Sequence, residues 1–126
     1  MTDPAELCDR AVRLYPTDPE AAYDLFVEAA QQGFPNAFFG LAEMKMSGVG
    51  TERDPEGALE LYTAAAEAGH PPSMDRLGAY YSGAAGAGED PEKCRFWFER
   101  AANAGMEQAY PEIAGIYLYG YGTPQD

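Results

Sequence analysis

Aspartates at 18, 54, 90 and 126 recur at a fixed interval of 36 residues, and the first three each open the same phrase, Asp-Pro-Glu. The alanine pairs Ala29-Ala30, Ala65-Ala66 and Ala101-Ala102 keep the interval, as do Gly33, Gly69 and Gly105. Self-similarity at a period between about 20 and 50 residues marks a solenoid or a related array, in which each unit is too small to bury its own apolar face. The chain therefore divides into an N-terminal capping helix, 1–17, and three repeats, 18–53, 54–89 and 90–126.

Each repeat reads as two helices. In Asp-Pro-Glu the aspartate can accept from unpaired backbone N–H groups, proline suits the first helical turn, and the glutamate favours the positive end of the dipole. The next segment carries apolar residues in steps of three and four: Ala22, Leu25, Phe26, Ala29 and Ala30, then Ala58, Leu61, Tyr62, Ala65 and Ala66, then Cys94, Trp97, Phe98, Ala101 and Ala102. Gly33, Gly69 and Gly105 stand where the pattern stops, as a left-handed residue after a helix C-terminus would. A second helix follows, with Ala37, Leu41 and Met44 answered by Ser73, Leu77 and Tyr80 and by Ala109, Ile113 and Ile116. Gly48 and Gly50, Gly86, and Gly120 and Gly122 then end it and open the loop to the next repeat. Phe26, Tyr62 and Phe98 are expected to fill the space that the alanine pairs leave between helices. The stretch from Asp3-Pro4, with Leu7, Ala11, Val12 and Leu14 as its apolar residues and Tyr15-Pro16 as its break, reads as the capping helix.

The whole-chain fold class is thus all-α, an αα solenoid of about three 36-residue helix-turn-helix repeats plus an N-terminal helix. At 126 residues the chain is one domain, near the roughly three repeats at which such arrays become stable. No apolar run approaches the roughly 20 residues of a transmembrane helix, and the acidic first residues are unlike a leader, so no membrane contact and a cytoplasmic location are expected. The formal net charge of −13, from 21 acidic and 8 basic residues, argues against nucleic acid and for a basic protein partner. Several of these carboxylates cap helices and the rest keep a repeat surface solvated.

The residues that catalysis or metal binding requires are sparse. His70, the one histidine, stands in a turn between Gly69 and Pro71-Pro72 and reads as a turn residue with no role. There is no Cys-x-x-Cys, no helical histidine pair and no calcium-loop pattern. The run Gly83-Ala84-Ala85-Gly86-Ala87-Gly88 lacks the Lys-Ser/Thr of a phosphate-binding loop. No catalytic, metal-binding or cofactor-binding residue is assigned, no cofactor is expected, and the chain reads as a non-enzyme. Cys94 replaces Ala22 and Ala58 in a packing column and reads as a small buried thiol.

The run Leu77-Gly78, Tyr81, Gly86, Asp90, Trp97-Phe98, Ala101-Ala102 and Gly105 resembles the Sel-one-like repeat family, relatives of the tetratricopeptide repeats, over roughly residues 18–126. Lys45 stands where Tyr81 and Tyr117 occur, Ala84 replaces a loop glycine, and Ala42 and Ala114 replace the glycine of Leu-Gly; these are local packing changes. The resemblance implies a right-handed αα superhelix with a concave face used for protein contacts, and so an adaptor or scaffold that binds a protein partner. Small bacterial relatives acting as immunity proteins imply an alternative, an inhibitor of a basic toxin. β-Lactam hydrolysis, associated with a cysteine-rich branch, is a third reading; this chain lacks that branch's paired cysteines and a nucleophile with its base.

A concave face built from the second helix of each repeat, read at positions that vary between repeats, selects Phe39, Glu43 and Met46, then Asp75, Arg76 and Ala79, then Tyr110, Glu112 and Tyr119 as protein-binding residues. The aromatics Phe39, Tyr110 and Tyr119 are the expected anchors. The last helix, about 107–119, is apolar for a terminal cap at Ile116, Tyr117, Leu118 and Tyr119, with Tyr121 following; a homodimer through this end is expected to cover it, a partner chain or further residues beyond Asp126 being the alternatives.

Overall fold

The computed structural model describes residues 2–83 and 89–105, and the regular structure among them is helical, with no strand. Six helices follow in order: α1 (Pro4–Leu14), α2 (Pro19–Ala30), α3 (Pro35–Ser47), α4 (Pro55–Glu67), α5 (Pro71–Tyr81) and α6 (Pro91–Asn103). They fall into two compact units, Met1–His70 with α1 to α4 and Pro71–Asp126 with α5 and α6.

The Asp-Pro-Glu phrases start α2, α4 and α6 as their chemistry requires. Asp18, Asp54 and Asp90 accept at Oδ1 from the N–H groups of Ala21, Gly57 and Lys93, at 3.1, 3.0 and 3.2 Å, with proline in the first turn of each helix. Asp3 caps α1 in the same way through the N–H of Ala5, at 3.0 Å. The backbone of two of these aspartates has a second use: the N–H of Asp54 donates to Lys45 O and that of Asp90 to Tyr81 O, both at 2.8 Å. Donor and acceptor are nine residues apart in both cases, so each Gly-rich connection is closed by the residue that opens the next helix. At the other end of α4, Gly69 takes φ +93° and donates to Ala66 O, while the His70 N–H reaches Ala65 O at 3.1 Å. These two bonds satisfy carbonyls that the helix leaves open. Gly33 and Gly105 take the same left-handed conformation, at φ +78° and +96°.

In the first unit α1 packs on α2, α2 on α3, and α3 on α4. Leu7, Cys8, Ala11, Ala22, Phe26, Ala29, Ala37, Leu41 and Met44 form a continuous buried cluster. The α1 face differs in one respect from the expected one. Val12 is 63% exposed and Cys8 is buried in its stead, because steps of one, three and three from Leu7 through Cys8 and Ala11 to Leu14 stay on one side of a 3.6-residue helix and Val12 turns off it. Phe26 lies close enough to α3 that a Cβ at Gly40 would come within 2.6 Å of its ring. The small residue therefore sets how closely α2 and α3 approach.

In the second unit α5 packs on α6, burying Leu77 and Gly78 together with Cys94, Trp97, Phe98, Ala101 and Ala102. The ring of Phe98 occupies the space that a side chain at Gly78 would need, 2.6 Å from the position of a Cβ there. Phe26, Tyr62 and Phe98, the aromatics one period apart, are 6%, 3% and 3% exposed, so all three fill interhelical space. Cys8 and Cys94 are both buried thiols. Burial, with the charge of Asp9 beside it, pushes the Cys8 thiol up to about 11, which leaves it protonated and inert near neutrality.

Candidate protein-binding site

The three residues selected on α3 stand in successive turns at steps of four and three, which places Phe39, Glu43 and Met46 on one side of the helix, all half-buried. The ring of Phe39 meets Tyr62 edge-on at 5.9 Å and the imidazole of His70 at 5.2 Å. The Tyr62 hydroxyl donates to Glu43 Oε1 at 2.9 Å. The backbone carbonyl of Met46 accepts from Arg53 Nε at 3.2 Å, tying the end of α3 to the following loop. Two ring contacts and a carboxylate anchored by a phenol give this side of α3 a defined shape, with aromatic surface beside negative charge.

Two members of this cluster are not evident from spacing alone as partners of the α3 residues. Tyr62 is interior filler, as its place in the repeat predicts. Its hydroxyl is the informative part, since a tyrosine in a column otherwise made of Phe26 and Phe98 must find an acceptor when buried. His70 does lie in the turn that the sequence predicts, but it is more than a turn residue, because its ring packs on Phe39. Burial there pushes its pKa down from the ordinary 6.5.

On α5, Asp75 is half-buried while Arg76 and Ala79 are exposed, and Arg76 Nη1 lies 3.6 Å from Asp75 Oδ2. This adjacent pair is exposed on its arginine side, so it contributes little to stability. Tyr110, Glu112 and Tyr119 lie outside the described residues, as does the segment 107–119 that the sequence predicts as a last helix. Among the described residues no three His, Cys, Asp or Glu side chains converge as metal ligands, and no helix is long and apolar enough to cross a membrane.

Lys45, which departs from the aromatic of the repeat pattern, makes a cation–aromatic contact to the preceding helix, whereas the aromatic one period later takes its cation from the following helix. Lys45 Nζ lies 5.9 Å from the Tyr23 ring centroid and 3.8 Å from Asp54 Oδ2. One period later the ring is Tyr81 and the cation over it, at 5.2 Å, is Lys93.

Among solved structures, a Sel1 repeat protein from Oxalobacter formigenes superposes with a TM-score of 0.90 at 26% identity, over 98% of this chain and 53% of that one. A protective antigen present in uropathogenic Escherichia coli strains, which displays an SLR fold, superposes with a TM-score of 0.89 at 27% identity, over 98% of this chain and 27% of that one. The chain thus spans about half the length of the first structure and about a quarter of the second. No curated protein matches the sequence. The Sel1 repeat itself matches residues 10–34, 35–70, 71–106 and 112–126. The middle two segments begin at the second helix of an Asp-Pro unit, and so cut the same 36-residue period at another phase. The all-helical repeat fold expected from that period is the one these neighbours share, and the chain belongs to the Sel1 repeat family.

Proposed function

We propose that this chain is a non-enzymatic protein-interaction module that holds a protein partner on the side of its second-position helices. Sel1 repeats are typically protein-interaction scaffolds, and the observation that favours this side is the cluster of Phe39, Glu43, Tyr62 and His70. Aromatic side chains held rigid by their neighbours make effective anchors, because little rotamer entropy is lost when a partner covers them. The formal charge of −13 supports a basic partner, drawn in by the field and held by the aromatic contact. An inhibitor of a basic toxin is the narrower version of the same reading, favoured by the same charge.

The test is retention of proteins from the source cell's lysate by the intact chain and by a Phe39→Ala, Glu43→Lys variant whose helical circular dichroism matches it. A protein retained by the intact chain and lost from the variant supports the α3 site. Retention that the variant leaves unchanged removes α3 from the site, and a single basic protein eluted by salt favours the inhibitor over the scaffold.

A further inference from the structure

The outward faces of α2, α4 and α6 are equivalent by period, yet the third is unlike the other two. On α2 the exposed positions are Glu20, Asp24 and Glu28; on α4 they are Glu56, Glu60 and Ala64; on α6 they are Glu92, Phe96 and Arg100. Lys93 adds a second exposed cation where the earlier repeats have Ala21 and Gly57. Glu92 keeps the first carboxylate of the column, but beyond it the acidic column of the first unit gives way on α6 to a stripe of Lys93, Phe96 and Arg100, whose steps of three and four put them on one helix face.

The stripe is built rather than merely exposed. Phe96 is 50% exposed, with its ring packed edge-on against Trp97 at 4.9 Å. The Arg100 guanidinium lies 5.3 Å from the Phe96 centroid and 5.2 Å from that of Trp97. Held across two rings, it keeps N–H groups at its rim for a carboxylate, and much of its rotamer freedom is already lost before any partner arrives. A half-exposed aromatic beside a positioned arginine is the composition of an interface centre.

We propose that this α6 face docks a second copy of this chain, through the carboxylates Glu20, Asp24 and Glu28 on the second copy's α2. Charge complementarity selects that occupant: a cationic, aromatic stripe in a chain of net charge −13 finds its complement on the chain's own acidic column, with carboxylates spaced at four residues as Phe96 and Arg100 are. The contact is heterologous, since the two faces differ, so each copy offers one donor face and one acceptor face. Like net charge opposes the approach of two copies, but beyond about 8 Å it is screened at physiological salt, and the local complement then decides. None of these residues belongs to the α3 site.

The experiment is sedimentation equilibrium at near-physiological salt on the intact chain, on Arg100→Glu, on Asp24→Arg with Glu28→Arg, and on a mixture of the two variants. The intact chain is expected to self-associate and each variant alone to do so at least about tenfold more weakly. The mixture is expected to recover the association, because the intact α2 carboxylates of one variant meet the intact Arg100 of the other, while the introduced glutamate faces the introduced arginines. Recovery distinguishes a broken contact from a destabilised fold, which mixing cannot repair. An intact chain that stays monomeric at high concentration, a self-association indifferent to both variants, or a mixture without recovery overturns the proposal.

Discussion

Tyr62 differs from the two phenylalanines of its column by one hydroxyl, and that hydroxyl donates to Glu43 at 2.9 Å. Replacing it with phenylalanine removes the donor and leaves the ring packing intact. Because Glu43 is half-buried, water can serve the released oxygen, so the expected loss is about 1 kcal/mol, within the usual range for one hydrogen bond. Urea denaturation reads it, and an unchanged midpoint would show that the bond contributes nothing. His70 gives a second test at this scale. Burial lowers its pKa from 6.5, so below that pH the unfolded chain takes up the proton first, and stability present above 6.5 falls as the solution is acidified. Between about pH 7.5 and about 5.5 the intact chain is therefore expected to lose more stability than His70→Gln, and parallel pH profiles would refute it. Phe39 and Glu43 are legible in the sequence as variable positions and Tyr62 as filler, but their meeting depends on how α3 and α4 cross. That crossing is set by many small contacts that no single spacing records.

Helices are the most legible features, because their starts are local chemistry. The aspartate, proline and glutamate that begin α2, α4 and α6 act within one turn of each other, and the left-handed glycines that follow α2, α4 and α6 need no tertiary information. The second helix of a unit is less well signalled: α3 follows Phe34, which makes no side-chain cap, and only Pro35 marks its first turn. Val12 departs from its expected burial because it lies off the face that Leu7, Cys8 and Ala11 share, on which Cys8 takes its place. The weight of a cap can be measured at Asp54, whose Oδ1 accepts from Gly57 N–H at 3.0 Å. Asp54→Ala is expected to lower stability by roughly 1 kcal/mol and Asp54→Asn by much less, because asparagine can still accept. The exposed contact to Lys45 at 3.8 Å is lost in both variants and adds little. Equal losses in the two variants would transfer the effect from the cap to that ion pair.

Across the whole molecule the dominant field is negative. Glu20, Asp24 and Glu28 on α2, and Glu56 and Glu60 on α4, place like charges four residues apart on exposed faces. Each such pair costs roughly 0.2–0.5 kcal/mol when unscreened, and the surplus of 13 negative charges adds a diffuse repulsion. Raising ionic strength from about 0.01 M to about 0.15 M shortens the screening length from about 30 Å to about 8 Å, which relieves the diffuse part first and the four-residue pairs in part. Opposing this, salt also weakens attractive pairs such as Arg95 with Glu99 at 3.0 Å, Arg76 with Asp75 and Lys45 with Asp54, but partly exposed pairs of this kind contribute little each and do not offset a surplus of this size. The expected outcome is a gain on the order of 1 kcal/mol over that range, read by urea rather than guanidinium chloride, which is itself a salt. Asp24→Asn removes the central charge of the α2 column and should shrink the gain. A chain whose stability falls with added salt would mean that caps and ion pairs outweigh the surplus, and that the acidic faces are matched locally rather than merely solvated.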